Sequence, residues 1–316
     1  MQFKSLDLKL GFACNNNCLS CPQAHRRHLG NLTTEQVKSL LDAGRSNGCT
    51  QVVLTGGEPT VRSDILEVIT YARDIGYNDV QLQSNGRMLS YRKFCEKLLD
   101  AGATSFMLGI HGPNPKVHDS LTQSSGSFEQ AVQGVKNLVK LREKYFMGII
   151  SVNSVISKIS YKHAPETAEL FAGIGIDQLQ FAFMHCTGNA LKNIEMLLPT
   201  KTEIMPYLHK GLDIGLKAGL VMRAEAYPFC FLHGYEKCSS ELYAPLKDVR
   251  DAEGLKEDFN RVRRTGKRKG TQCKECRFDI VCGGPWKEYT ERFGYSELNP
   301  VSGKKFFSPE EIINED

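Results

Sequence analysis

Residues 6–21 read Leu6-Asp-Leu-Lys-Leu10-Gly-Phe-Ala-Cys14-Asn-Asn-Asn-Cys18-Leu-Ser-Cys21. The run Leu6 to Leu10 is a strand candidate, and the asparagines beyond it tolerate turn geometry. The three thiols therefore fall on a loop just past a strand end. Soft thiolates spaced C-x3-C-x2-C suit zinc or an iron-sulfur cluster. Zinc normally takes a fourth protein ligand close by; none follows at once, and His25 or His28 would have to supply it.

Outward from this loop, short β-like runs alternate with amphipathic helical patterns as far as Phe183. The strand candidates are Leu6–Leu10, Gln51–Thr55, Val80–Gln83, Phe106–Ile110, Gly148–Ser154 and Gln178–Phe183. Between them, apolar residues recur at helical spacing, as in Val37, Leu40 and Leu41 behind the capping signal Thr33-Thr34-Glu35-Gln36, and in Ile65, Val68, Ile69 and Ala72. Repeated βα units predict an α/β fold with a parallel sheet, and six of them suit a partial barrel. Such sheets carry their functional loops at the carboxyl ends of the strands. Cys14–Cys21, Gly56–Pro59, Ser84-Asn85, His111-Gly112, Asn153 and Cys186–Gly188 all fall there. Past residue 200 one more helix (202–218) and a strand-like run (221–226) precede turn-rich, cysteine-bearing sequence. This predicts a core over residues 1–220, a small second domain over 221–296 and a tail over 297–316 that wraps back or is poorly ordered.

The chain has 316 residues, 41% hydrophobic and 24% charged, enough for a large core. No apolar run is long enough to span a membrane, and the amino terminus lacks a signal-peptide core, so a cytoplasmic protein is expected. In that compartment thiols stay reduced, and eleven cysteines in close groups read as metal ligands rather than disulfides. A net charge of +4 names no partner. The basic stretch Arg261, Arg263, Arg264, Lys267, Arg268 and Lys269 has no interleaved aromatic residues. It reads as a solvated loop, and no nucleic-acid partner is expected.

With Gly56-Gly57-Glu58-Pro59 following the second strand candidate, the cysteine loop resembles that of the radical S-adenosylmethionine (SAM) superfamily. The resemblance implies a 4Fe-4S cluster on Cys14, Cys18 and Cys21, with one iron left open for the amino and carboxylate groups of SAM. It also implies that Gly56 and Gly57 let backbone approach the methionyl end of SAM, and that Glu58 or neighbouring carbonyls accept its ammonium hydrogens. Ser84, Asn85, His111 and Asn153 match softer SAM-facing positions, and backbone near Met184 and Gly188 is expected at adenosine. Two departures from the pattern are Ser20, where an aromatic is common, and Gly109, where a serine is common. Cys49 and Cys95 read as buried structural thiols. Cys186, at the expected barrel mouth, is a candidate hydrogen-atom donor to a substrate radical, against the plainer reading of a packed cysteine.

A second group, Cys273-x2-Cys276-x5-Cys282, follows Cys230 and Cys238. Its spacing fits zinc as well as iron-sulfur. It is similar to the auxiliary-cluster extensions called SPASM and twitch domains. The resemblance implies a second, auxiliary 4Fe-4S cluster on Cys230, Cys273, Cys276 and Cys282, with Cys238 as the substitute ligand. The whole reading predicts reductive cleavage of SAM to a 5′-deoxyadenosyl radical, fed by a flavodoxin- or ferredoxin-like electron donor. The substrate is expected to be a peptide or protein undergoing maturation. A small molecule such as a sugar, nucleoside or cofactor precursor is the alternative, and a zinc-stabilised binding module is the non-enzymatic one.

Overall fold

The computed structural model describes residues 4–244, 246–251, 254–256 and 265–315. Arg261, Arg263 and Arg264 of the basic stretch lie outside the described residues. Within it, Lys267 is buried and paired with Glu241 at 2.8 Å, and Lys269 pairs with Asp279 at 2.6 Å, so these two cations are tied down.

All six strand candidates form: β1 (Lys4–Lys9), β2 (Gln51–Thr55), β3 (Asp79–Ser84), β4 (Ser105–Gly109), β5 (Ile150–Ile156) and β6 (Gln178–Phe183). They pair in sequence order, all parallel. The sheet does not stop there. β7 (Val221–Glu225) adds in parallel to β6, and β8 (Leu246–Asp251) adds in parallel to the free side of β1. β9 (Gly254–Lys256) turns back antiparallel on β8, giving the order β7-β6-β5-β4-β3-β2-β1-β8-β9. The result is an open partial barrel of parallel strands, and the sheet runs past residue 220 into the cysteine-bearing region. β7 is the strand-like run expected over 221–226, whereas β8 carries no clear apolar alternation and its place in the sheet is not read from pattern.

Helices α1 (Thr34–Ser46), α2 (Ile65–Asp74), α3 (Arg92–Ala101), α4 (Pro115–Thr122), α5 (Ser127–Leu141), α6 (Ala164–Ile174), α7 (Gly188–Lys192), α8 (Ile194–Leu197) and α9 (Lys201–Lys217) fill the connections. Capping boxes start α1 at Thr33/Gln36 and α9 at Thr200/Glu203. Val37, Leu41, Ile65, Val68 and Ile69 pack against Leu6, Leu8, Val52, Leu54, Val80 and Leu82 in one continuous core. Strand side chains alternate between faces, and register carries the alternation across the sheet. The face turned away from the helices holds Asp7, Lys9, Gln51, Thr55, Gln81, Gln83, Asn153, Gln180, Arg223 and Glu225. The half-barrel thus has an apolar outside and a hydrogen-bonding inside.

Candidate active site

The cysteine loop after β1 has little regular structure of its own, and its backbone polar groups are bonded by distant parts of the chain. Asn17 and Leu19 donate backbone N–H groups to Thr122 and Leu121 at the end of α4. Arg27 donates to the Asn16 carbonyl at 2.7 Å, and Arg87 to the Asn15 carbonyl and to Asn16 Oδ1. From the β6 side, the Asn189 N–H and side chain donate to the carbonyls of Cys21 and Cys18, and Asn193 donates to Leu19. The three thiols lie within electrostatic reach of one another. Burial pushes the Cys14 thiol up, and burial plus the other two sulfurs pushes Cys18 up to about 12.

Gly56 and Gly57 serve this loop in a way the resemblance did not imply. A Cβ on Gly56 would stand 2.3 Å from the Gly11 carbonyl oxygen, and one on Gly57 would stand 2.1 Å from that of Ala13. What the glycines admit is the chain's own backbone leading into Cys14. The contact is sealed by Gly57 N–H to Gly11 O at 2.8 Å and Glu58 N–H to Ala13 O at 2.7 Å.

Glu58 is 3% exposed, and both carboxylate oxygens are occupied. Oε1 accepts from the Thr60 N–H and hydroxyl and from Ser84 Oγ, while Oε2 accepts the Asn85 N–H at 2.6 Å. Burial raises its pKa, against the pull of these donors. The carboxylate is therefore a hub joining the ends of β2 and β3. Ser84 is buried and spent on Glu58 and on the Gly86 N–H. Asn85 faces the cysteine loop: its Nδ2 donates to Asn15 Oδ1 at 2.6 Å and lies 3.8 Å from Cys14 Sγ. Pro59 starts a short 3-10 turn behind the hub.

Farther along the strand ends, His111 Nδ1 accepts the Val155 N–H, and the His111 N–H donates to His118 Nδ1. Both imidazoles are neutral, with burial lowering His111 to about 4 and His118 to about 3. Asn153 sits on the inner face in register with Gly109 and Gln180. Met184 is buried in the core. Gly188 (φ +57°) abuts the cysteine loop, since a Cβ there would lie 2.7 Å from the carbonyl oxygens of Cys21 and Pro22. Cys186 is 1% exposed within the main apolar core, with burial pushing its thiol up to about 12. That environment is the one a packing cysteine occupies. Cys49 and Cys95 are buried in the same core.

A second cluster of thiols lies in the C-terminal region. Cys230, Cys273, Cys276 and Cys282 line one cavity together with Phe229, Phe278 and Lys269. Burial raises Cys230 to about 12, with the other three sulfurs adding to the shift; it also raises Cys273 and Cys282. Backbone N–H groups point at sulfur: Gly284 to Cys282 and Val301 to Cys276, each at 3.4 Å, and Asn299 to Cys230. Cys238 is not part of this cavity. It packs in the main core, where burial pushes its thiol up against the opposing pull of Arg223. His185 stacks on Trp286, with ring centroids 4.2 Å apart.

Residues 8–171 match the model of the radical SAM superfamily. The chain belongs to that superfamily. It is 28% identical over 225 residues to an AdoMet-dependent heme synthase of Methanosarcina barkeri, covering 71% of this chain and 62% of that protein. It is 26% identical over 188 residues to a probable GTP 3′,8-cyclase of Saccharolobus solfataricus, covering 58% of each. The chain thus spans about three fifths of the length of these relatives. Its fold is similar to that of Streptococcus suis SuiB bound to the precursor peptide SuiA, with a TM-score of 0.63 at 14% identity over 90% of this chain and 70% of that one.

Membership in the radical SAM superfamily implies SAM and a 4Fe-4S cluster, and the loop chemistry fits both. Cys14 Sγ already receives the Asn16 N–H at 3.4 Å. Thiols with raised pKa become thiolates when a metal displaces their protons. Among the described residues no three His, Cys, Asp or Glu side chains are gathered closely enough to hold a single metal ion. A cluster places each thiolate on a different iron and needs wider spacing. No described helix is long and apolar enough to cross a membrane. Arg87, Asn189 and Asn193, which hold the cysteine loop, carry no local signal because their partners are far away in sequence.

Proposed function

We propose that this radical SAM enzyme oxidises a substrate by hydrogen-atom abstraction, with SAM and a 4Fe-4S cluster at Cys14, Cys18 and Cys21 and a second 4Fe-4S cluster on Cys230, Cys273, Cys276 and Cys282. The observation that carries the reading is the pair of thiol groups, one on the clamped loop after β1 and one lining a cavity in the C-terminal region. When bound, the groups supply one-electron chemistry: SAM is cleaved to methionine and a 5′-deoxyadenosyl radical, and the second cluster offers a place for the electron a substrate radical gives up.

The chain's own residues do the rest. Asn15, Asn16, Cys18, Leu19 and Cys21 are held by their carbonyls and side chains, so the three thiols are presented in a fixed arrangement before any ligand binds. Glu58 fixes Asn85 beside Cys14, and the carbonyls of the loop after β2 remain for an ammonium group. The polar inner face, with Asn153, Gln180 and Glu225 already hydrogen-bonded in a row, orients a substrate by hydrogen bonds rather than by an apolar slot. Four thiolates on the second cluster would leave no open iron, which favours electron transfer there over direct substrate ligation.

A peptide or protein segment is the first reading for the substrate, supported by the open sheet, which ends at β7 and β9 and leaves the mouth unclosed on one side. A small molecule is the second, favoured by the names of the heme synthase and GTP cyclase relatives. Either needs a one-electron donor of flavodoxin or ferredoxin type.

The test is anaerobic reconstitution with iron and sulfide counted per chain. SAM cleavage under dithionite is then compared between the wild type and a Cys14, Cys18, Cys21→Ala triple variant. About eight irons, with 5′-deoxyadenosine made only by the wild type, supports the reading. Stoichiometric zinc and no deoxyadenosine overturns it.

A further inference from the structure

The C-terminal segment, set apart by sequence as a tail, lies against the second thiol site. Leu298, Asn299 and Pro300 form one wall of the cysteine-lined cavity. The Val301 N–H donates to Cys276 Sγ at 3.4 Å, and the Asn299 N–H donates to Cys230. The wall is itself pinned: the Arg277 N–H donates to the Val301 carbonyl at 2.8 Å, and the Phe306 N–H to the Arg277 carbonyl at 2.9 Å. Phe306, 7% exposed, stacks on Phe278 at 5.3 Å, and Phe278 stacks on Phe229 at 4.8 Å, the residue just before Cys230. Arg277 closes over the outer ring, its guanidinium 4.3 Å from the Phe306 centroid. Ile312, from the short helix Pro309–Ile313, completes this small apolar cluster.

A backbone N–H aimed at a thiolate sulfur stabilises negative charge. Reducing a cluster by one electron adds negative charge, so such bonds favour the reduced form, and solvent exclusion sets the potential alongside them. We propose that residues 298–306 are a cap built onto the second metal site: the Asn299 and Val301 N–H groups raise the reduction potential of the cluster there, and the Phe229–Phe278–Phe306 stack keeps oxidants and water from it. The inference rests on the reading of the second site as a 4Fe-4S cluster. It assigns to the end of the chain a part in electron transfer that neither its composition nor its spacing announces.

The experiment uses the full-length chain carrying the Cys14, Cys18, Cys21→Ala substitutions, reconstituted anaerobically so that only the second cluster is present. It is titrated against redox mediators and followed by electron paramagnetic resonance. Val301→Pro removes the N–H to Cys276 and keeps the carbonyl that Arg277 uses; Val301→Ala keeps both. The Pro variant is expected to reduce at a lower potential, by roughly a tenfold change in the reduction equilibrium or about 59 mV, with the Ala variant matching the parent. Phe306→Ala is expected to bleach in air about tenfold faster than the parent, and Phe306→Leu much less so. The bleaching arm stands by itself if the Pro variant fails to take up iron. Equal potentials for the Pro and Ala variants, with Phe306→Ala bleaching at the parental rate, would overturn the cap while leaving the cluster in place. A parent that binds no iron overturns the cluster reading, and the cap with it.

Discussion

Gly57→Ala is the smallest change that tests how the cysteine loop is held. The added Cβ would lie 2.1 Å from the Ala13 carbonyl oxygen and 2.6 Å from the Phe12 carbonyl carbon, both well inside ordinary van der Waals contact. Both obstacles are backbone, so no side chain can swing away. Gly57 does not have a left-handed φ, and the penalty is steric rather than conformational. Overpacking of this kind costs about 1–3 kcal/mol. The two hydrogen bonds across the contact, Gly57 to Gly11 and Glu58 to Ala13, are worth about 1 kcal/mol each once stretched. The sum is about 3–5 kcal/mol, and at about 2 °C per kcal/mol for a chain of this size it lowers the melting temperature by about 6–10 °C. The displaced segment adjoins Cys14, so iron bound after reconstitution should fall by about four per chain. Thermal unfolding by circular dichroism of the metal-free, reduced protein, together with iron analysis, checks both numbers. A variant that melts within about 2 °C of the wild type and loads its full iron would refute the docking of Gly57 against the loop.

Other consequences follow from named contacts. Glu58→Gln leaves one carbonyl oxygen where two carboxylate oxygens now accept four bonds. It should cost about 1–3 kcal/mol and weaken cluster binding at Cys14, read by urea unfolding and iron content. Cys230→Ser should remove one cluster, about four irons, whereas Cys238→Ser should leave the iron count unchanged; the reverse result would exchange the two ligands. His111 and His118 have folded pKa values near 4 and 3, below the ordinary 6.5. The stability they contribute is therefore present above about pH 6.5 and lost as pH falls towards those values. His118→Asn, which keeps an acceptor for the His111 N–H, should flatten the fall in melting temperature between about pH 6.5 and pH 4. Gly173→Ala lies in α6 with open space around the new Cβ and should stabilise the chain by about 0.5–1 kcal/mol in the same unfolding assay.

Much of the core is readable from local pattern. The six central strands and their helices announce themselves because parallel strands, covered by helices on one face, keep a regular apolar rhythm, and because caps such as Thr33 and Thr200 act within one turn. β8 is less legible. It joins the sheet against β1, more than two hundred residues away in sequence. Cys238 shows the same limit. Sequence spacing makes it nearly equal to Cys230 as a ligand, and only the placement of the Phe229–Phe231 turn puts one thiol in the cavity and the other in the core.

By itself the sequence determined the chemistry on offer: three thiols at a strand end, Gly-Gly-Glu-Pro at the next, a second cysteine group, and the βα rhythm that brings strand ends to one edge. Thiol spacing and hydrophobic period act over a few residues, so they survive in one dimension. The tertiary structure alone decided what each group does with its neighbours. Gly57 is needed by Ala13, Glu58 is spent on Ser84 and Asn85, Asn189 holds Cys21, and Val301 reaches Cys276. Those are hydrogen bonds and steric contacts between segments tens to hundreds of residues apart, and their geometry exists only once the sheet has brought the loops together.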